Sequence, residues 1–337
     1  MGFFNKANSL IEKWMQLIMP LCVVIGFLLG DRIAFLKPST NWLFAFACFS
    51  SALTLSMTEF KTAFNVKAII LLMILGHAVL PAIAWLVFRL TASPSSEIFM
   101  GLMLLFAGPC ATTSFIWSGI YGGNKGLSIA FVIIDTFVSI LLTPFIMRLA
   151  CSAAVTMDSV SLIWSMTKMV LIPSVAGVLA TKLIRQEHLA VATPVIKFIT
   201  KASLLLIIMI SIGGASGSVR GNFSFSYIWS LVGVFVVLII GYVMGYYSSR
   251  FLIKSDVPDA ISMGFALGCR NVGLAIILAG SYFPPLAAVP PVITLFFHDI
   301  VTTGAGRVFL KVKEKKPHDK EYVLGGKNAA PRHSEVQ

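Results

Sequence analysis

The chain has 337 residues, 57% of them hydrophobic and only 12% charged, with a mean hydropathy of +0.89. Soluble domains run at roughly 45–50% apolar and 25% charged residues, so the composition excludes an ordinary soluble enzyme or binding domain and describes an integral membrane protein. The net charge of +12 does not point to nucleic acid, because the basic residues flank apolar stretches and form no aromatic-interleaved patch.

A spanning helix needs about 20 mostly apolar residues. In chain order the candidates are 14–30, 42–58, 66–90, 98–121, 125–151, 159–182, 194–214, 226–252, 258–280 and 286–309, ten in all. Ahead of them, residues 1–13 begin a stripe of Phe3, Phe4, Leu10, Ile11 and Trp14 that predicts an interfacial helix, not a cleavable signal peptide. After them, residues 311–337 are polar and basic and predict a disordered tail. Alternating apolar strands are absent, which excludes an outer-membrane barrel. With ten spans, fourteen Lys and Arg fall on one side and five (Arg32, Lys37, Arg89, Arg148, Arg220) on the other, which puts both termini in the cytoplasm and the protein in a plasma or inner membrane. The five cysteines (Cys22, Cys48, Cys110, Cys151, Cys269) lie in or beside apolar stretches without C-x-x-C spacing, so neither a disulfide framework nor a metal site is expected.

Two stretches break at their centres, at Gly108-Pro109-Cys110 and at Gly268-Cys269-Arg270-Asn271. In hydrocarbon a helix is interrupted only where the freed backbone groups face protein, water or cargo. Paired breaks at matching places in two halves point to a midplane binding site between inverted repeats. The halves are 14–151 and 159–310, five helices each. Leu17-Ile18-Met19-Pro20 opens one as Leu171-Ile172-Pro173 opens the other, and Met100-Gly101 matches Met263-Gly264. Acidic residues follow at similar distances, Asp135 34 positions after Gly101 and Asp299 35 after Gly264.

Lys168, Lys197 and Lys201 lie toward span ends, where long side chains snorkel to the headgroups. His77, Asp135, Arg270, His298 and Asp299 fall near mid-span, where a charge costs about 2.5–3.5 kcal/mol on insertion scales. The two histidines read first as satisfied helix contacts. Arg270 stays protonated in any protein environment, so it must meet a carboxylate, several carbonyls or an anionic ligand, and Asp135 and Asp299 are the internal partners to expect. Two readings stay open: a static ion pair, or an Arg270 that receives an anion while the carboxylates handle a coupling proton or cation.

Around the breaks the sequence resembles the bile acid:sodium symporter family, within a larger group that includes arsenite efflux permeases. The first break, Gly108-Pro109-Cys110-Ala111-Thr112-Thr113-Ser114, then Gly123-Asn124 and Leu127-Ser128 through Leu142-Thr143-Pro144, looks like the family's Pro-Gly-Gly-Thr stretch, Gly-Asn turn and following helix. The second, Gly268-Cys269-Arg270-Asn271-Val272-Gly273-Leu274-Ala275, looks like its Gly-x-Gln-Asn-x-x-Leu-Ala signature.

The resemblance implies an all-α membrane fold of ten helices in which broken helices 4 and 9 cross, divided into a panel (spans 1, 2, 6, 7) and a core (spans 3–5, 8–10). It also implies alternating access. Arg270, Asn271, Cys110, Thr112 and Thr113 are then the expected substrate-binding residues. Ser114, Ser128 and Asn271 match sodium-ligand positions, and Asp135, Asp299, His77 and His298 complete the candidates for cation or proton coupling. The departures are specific: Ala266 stands for an acidic residue, Arg270 for Gln, Phe115 for Asn and Val132 for a hydroxyl.

A fixed positive charge beside a stripped ligand set repels sodium at short range. The expectation is therefore sodium-independent or proton-linked transport of a small organic anion, with no other cofactor. The alternatives are arsenite efflux through Cys110, since a thiolate suits a soft ligand, and a non-transporting receptor or regulator. No enzymatic constellation is present in the sequence, and oligomeric state stays open.

Overall fold

The computed structural model of the chain describes residues 2–53, 65–90, 96–151, 158–221 and 226–314. The end of the expected stretch 42–58, Lys61 and the tail beyond 314 lie outside them. The described residues form helices and no strand, as the composition requires.

In chain order these are α1 Gly2–Leu29, α2 Ser39–Leu53, α3 Val66–Arg89, α4 Glu97–Ala107, α5 Ser114–Ile120 and α6 Lys125–Ala150. There follow α7 Ser159–Leu183, α8 Gln186–Gly221, α9 Ser226–Leu252, α10 Val257–Gly268, α11 Val272–Tyr282 and α12 Val289–Glu314. The α1 helix bends by 80° between Gly2–Met15 and Leu17–Leu29. Among the described residues six helices are long and apolar enough to cross a membrane, seven if bent α1 is counted as one span. By contrast α4 and α11 have 11 residues each. That is about 16 Å, half of a hydrocarbon core of about 30 Å, so neither is long enough to cross one alone.

Local sequence sets the starts. Asn65, Ser96, Asn124, Asp158, Asp256 and Asn271 each cap a helix by accepting a backbone N–H from its first turn, which satisfies a donor that has no partner within the helix. The Asn124 turn is also tied sideways. Its side-chain amide donates to Asp259 Oδ1 at 2.7 Å, and its carbonyl accepts from Ser262 Oγ at 2.9 Å, fixing the start of α6 against the start of α10.

Packing divides the helices into two groups. In the first, α1 lies along α8, and α2 packs on α7 and α8. In the second, α9 packs on α10, α12 and α3, while α4 packs on α3, α6 and α11. The groups meet where α8 touches α11 and where α6 touches α7.

The most extensive helix contact, α9 on α10, follows from Gly241-Tyr242-Val243-Met244-Gly245, a small-x-x-x-small spacing that lets two backbones approach. A Cβ at Gly245 would sit 2.3 Å from the Met263 carbonyl oxygen, and one at Gly241 2.9 Å from that of Leu267. Phe88, Phe99, Phe106 and Phe265 fill the interior of this group, while Leu141, Phe145 and Leu149 face outward, the arrangement suited to a lipid solvent.

Candidate functional site: a crossing of two broken helices

The α4 helix stops at Ala107 because Pro109 has no N–H and forces the residue before it into extended backbone, and Gly108 adopts φ −70°, ψ 173°. The α10 helix stops at Gly268, with Cys269 extended at φ −82°, ψ 100°. The two extended stretches pair antiparallel. Ala111 N donates to Cys269 O at 2.8 Å and Asn271 N to Pro109 O at 3.1 Å, so Cys110 opposes Arg270 in a non-hydrogen-bonded pair. Each break thus supplies backbone partners for the other, which is what allows both helices to be interrupted.

Arg270 is 1% exposed and heads the fully buried side chains by volume. Its Nη2 donates to Phe106 O at 2.8 Å and to Gly108 O. These carbonyls are the open C-terminal end of α4, where the helix dipole is negative. Among the described residues no carboxylate lies within 4.0 Å of the guanidinium. The expected ion pair with Asp135 or Asp299 is therefore not formed. Carbonyls released by the break take the cation instead, Asp135 is occupied elsewhere, and Asp299, with its side chain 41% exposed, lies beside His298 at 3.3 Å.

Asp135, on α6, is also 1% exposed. Its Oδ2 accepts the Cys110 N–H at 2.6 Å, and its Oδ1 lies 2.6 Å from His77 Nε2 on α3. Behind the other break a neutral cluster does the corresponding job: Tyr242 OH, on α9, lies 2.6 Å from Thr302 Oγ1 on α12 and 3.2 Å from Cys269 Sγ. Thr302, rather than Asp299, is the second cluster's α12 member. Cys110 belongs to an apolar cluster with Leu72, Leu127 and Ala266, while Cys269 Sγ lies beside Tyr242 OH.

A cavity of about 260 Å³ lies over the crossing, between the two helix groups. Pro109, Thr112 and Asn271 come from the breaks, Val132, Ile133, Thr136 and Phe137 from α6, Cys48, Ser51 and Ala52 from α2, and Ser174, Val175, Val178 and Leu179 from α7. Of the expected substrate residues, Thr112 and Asn271 line it. Arg270 and Cys110 lie buried beneath the surface, and Thr113 is exposed off the lining. Asn271 Oδ1 accepts from Leu274 N at 3.0 Å as the cap of α11, which leaves its amide N–H groups as the donors for a ligand. Ser51, Thr136 and Ser174 carried no motif signal, because α2, α6 and α7 come together only in the tertiary fold.

The expected coupling residues scatter. Ser128 Oγ donates to Asn124 O at 3.2 Å. Ser114 Oγ is buried with no partner among the described residues. Val132 and Ala266, at two departures from the family pattern, pack with Cys110 in one apolar cluster. His298 and Asp299 sit together on α12 and do not join Asp135.

A bundle of apolar helices with a cavity over two broken, paired half-helices is the architecture of a membrane transporter. The model of the Sodium Bile acid symporter family matches residues 42–222, and the chain belongs to that family. It is 29% identical over 297 residues to the uncharacterized protein YbaS of Bacillus subtilis, covering 87% of this chain and 95% of that protein. It is 26% identical to the uncharacterized sodium-dependent transporter YocS of the same organism, covering 87% and 89%. A plant relative, the probable sodium/metabolite cotransporter BASS1 of Arabidopsis thaliana, is 24% identical, covering 94% and 79%.

Proposed function

We propose that the chain carries a small organic anion across the cell membrane by alternating access at the crossing, with Arg270 as a tethered cation in place of a coupling sodium ion. The observation that carries the reading is the buried guanidinium on the Phe106 and Gly108 carbonyls, directly below the cavity floored by Pro109 and Asn271. Carbonyl oxygens at a helix C-terminus are the hard donors a sodium ion would use. Here a covalently attached charge satisfies them. The neighbouring positions that would add oxygens, Val132 and Ala266, contribute hydrocarbon instead, and the unpartnered Ser114 oxygen is a remnant of the ligand set.

The rest of the cavity fits an anion with an apolar body. Its polar donors are the Asn271 amide and the Thr112 side chain, since the Thr136 hydroxyl already donates to Val132 O at 2.7 Å, and most of the wall is aliphatic. The N-terminus of α11 adds a positive dipole end at Asn271. Joining α4 to α5 and α10 to α11 gives ten spans in two inverted halves, 14–151 and 159–310. In that arrangement α1, α2, α7 and α8 are the panel and the other helices the core, with residues 1–13 as an interfacial helix and both termini cytoplasmic. The cavity then lies toward the cytoplasmic ends of α2 and α7, an inward-facing state. An arsenite site on Cys110 finds no support, since that thiol is buried in the apolar cluster away from the cavity lining.

Reconstitution tests the reading. Wild-type protein in liposomes should take up an organic anion such as taurocholate equally in sodium and choline media at constant membrane potential, and Arg270→Ala should insert yet lose uptake. Saturable stimulation by sodium, or wild-type turnover by Arg270→Ala, overturns it.

A further inference from the structure

The cavity over the crossing reaches Cys48 and Ser51 on α2 and Asn271 at the start of α11. At the other end of the same two helices a second cavity, of about 430 Å³, opens between the helix groups, with Phe35, Lys37, Asn41 and Ser281 among its walls. A narrower pocket shares Lys37 and Ser281 with it and continues down the seam to Ser211 and Ile277. Asn41 stands about 15 Å along α2 from Ser51, and Ser281 about 15 Å along α11 from Asn271, so the two cavities occupy opposite ends of one seam. Phe35 and Trp42, 77% and 80% exposed, mark the second mouth as interfacial, since amphipathic aromatic side chains collect at the membrane surface.

An aromatic ring separates the cavities. Phe44 lies on the face of α2 between Asn41 and Cys48, about one turn from each, and is 5% exposed. A Cβ on Gly273 of α11 would stand 3.7 Å from its Cε2, so the ring rests on backbone that carries no side chain to interlock with it. Beyond the ring, two successive residues of α11 are tied to two helices of the other group. Ser281 Oγ donates to Asn41 Oδ1 on α2 at 3.3 Å, and Tyr282 OH is hydrogen-bonded to Ser165 Oγ on α7. Neutral bonds of this kind exchange for bonds to water at little net cost, which suits contacts that break and re-form.

The second mouth also carries charge. Lys37 is the one ionisable residue lining it and its narrow extension, and among the described residues no carboxylate lies within 4.0 Å of its ammonium. Because Asn41 receives the Ser281 hydroxyl on Oδ1, its amide N–H groups stay available. A cation and an amide donor at the mouth are the groups an anion needs.

We propose that the α2–α11 seam is the outer half of the anion's path: an organic anion is received at Lys37 and Asn41, and Phe44, resting on Gly273, closes the way to the central cavity until the Ser281 and Tyr282 bonds break. The inference rests on the organic-anion, inward-facing reading of that cavity. Parting α2, α7 and α8 from α11 lifts the ring off the glycine and joins the two cavities, while the crossing, which lies within one helix group, keeps its backbone pairing.

Cys48, one turn from Phe44 and part of the central cavity wall, is a native reporter. The other four cysteines are at most 9% exposed and line neither cavity. In intact cells a membrane-impermeant thiosulfonate added outside should label Cys48 slowly in the wild type, and about tenfold faster in Phe44→Ala and in Ser281→Ala combined with Tyr282→Phe. Rates that neither variant raises, or label that persists in Cys48→Ser, overturn the proposal, and no transported substrate is needed to see it. Oxidising an Asn41→Cys, Ser281→Cys pair should stop taurocholate uptake and reduction should restore it; uptake by the cross-linked protein also overturns the gate. Lys37→Glu should raise the KM for external taurocholate about tenfold, and an unaltered KM removes Lys37 from the entrance. Labelling that responds to the variants without any taurocholate movement supports the seam and counts against the anion reading alone.

Discussion

Cys110 and Arg270 oppose each other across an antiparallel bridge that joins the interrupted ends of α4 and α10. The bridge makes the two breaks interdependent, because the amides at 111 and 271 have their acceptors on the opposite strand. The functional side chains are thereby placed by backbone hydrogen bonds rather than by loops, and substitutions around the crossing should separate structural from transport effects.

Arg270 is the first case. Its removal orphans the Phe106 and Gly108 carbonyls and opens a cavity, against which stands only the relief of desolvating one charge. Charge-assisted hydrogen bonds contribute about 1.5–3 kcal/mol each, so Arg270→Ala should lower stability by about 2–4 kcal/mol. Arg270→Gln, which keeps an amide donor, should lose less. Thermal unfolding of the detergent-solubilised variants ranks them, and an Arg270→Ala protein as stable as wild type would mean that the guanidinium does not hold the broken end of α4.

At Asp135 the two oxygens have separable roles. Asp135→Asn keeps an acceptor for Cys110 N–H, whereas Asp135→Ala leaves that buried donor unsatisfied at a cost of about 1–3 kcal/mol. The alanine variant should therefore unfold at a lower temperature than the asparagine variant, as thermal unfolding of the two would show. Equal stability of the two would show that the Cys110 contact contributes nothing.

The breaks were legible because Pro109 and the Gly268-Cys269 pair are local signals, and the buried charges because a charge in an apolar stretch stands out. Their pairing was not. Sequence offers Arg270 two carboxylates, and nothing local reveals that helix interruption creates carbonyl acceptors at the correct spot, or that His77, 58 positions earlier, takes Asp135. Asp299 stood out by spacing and charge as a partner for Arg270, whereas the α12 residue behind the second break is Thr302, three residues on, which carries no charge to mark it. The cavity wall from α2 and α7 left no trace, since apolar helices that meet in space share no motif.

Asn271 combines a cap with a cavity donor, and the two can be split. Asn271→Ala removes the α11 cap and should cost about 1 kcal/mol. Asn271→Asp keeps the capping oxygen but replaces the amide donors with a negative charge facing the cavity, so stability should stay near wild type while anion uptake falls at least about tenfold, the equivalent of 1.4 kcal/mol. Uptake by the aspartate variant at the wild-type rate would remove Asn271 from the binding site.

Gly245 probes the packing that holds α10 in position for the crossing. The atom its Cβ would meet, at 2.3 Å, is the backbone oxygen of Met263, which cannot swing aside as a side chain does. Gly245→Ala must push α9 away from α10, and such overpacking costs about 1–3 kcal/mol. Gly217, inside α8 with nothing within 4 Å of its would-be Cβ, is the control, because alanine there removes backbone freedom from the unfolded chain without a clash and should stabilise by about 0.4–1 kcal/mol. The two substitutions add the same methyl group, so opposite shifts in thermal midpoint isolate the close approach of the helices, and shifts of the same sign would show that the α9–α10 contact is looser than the glycines imply.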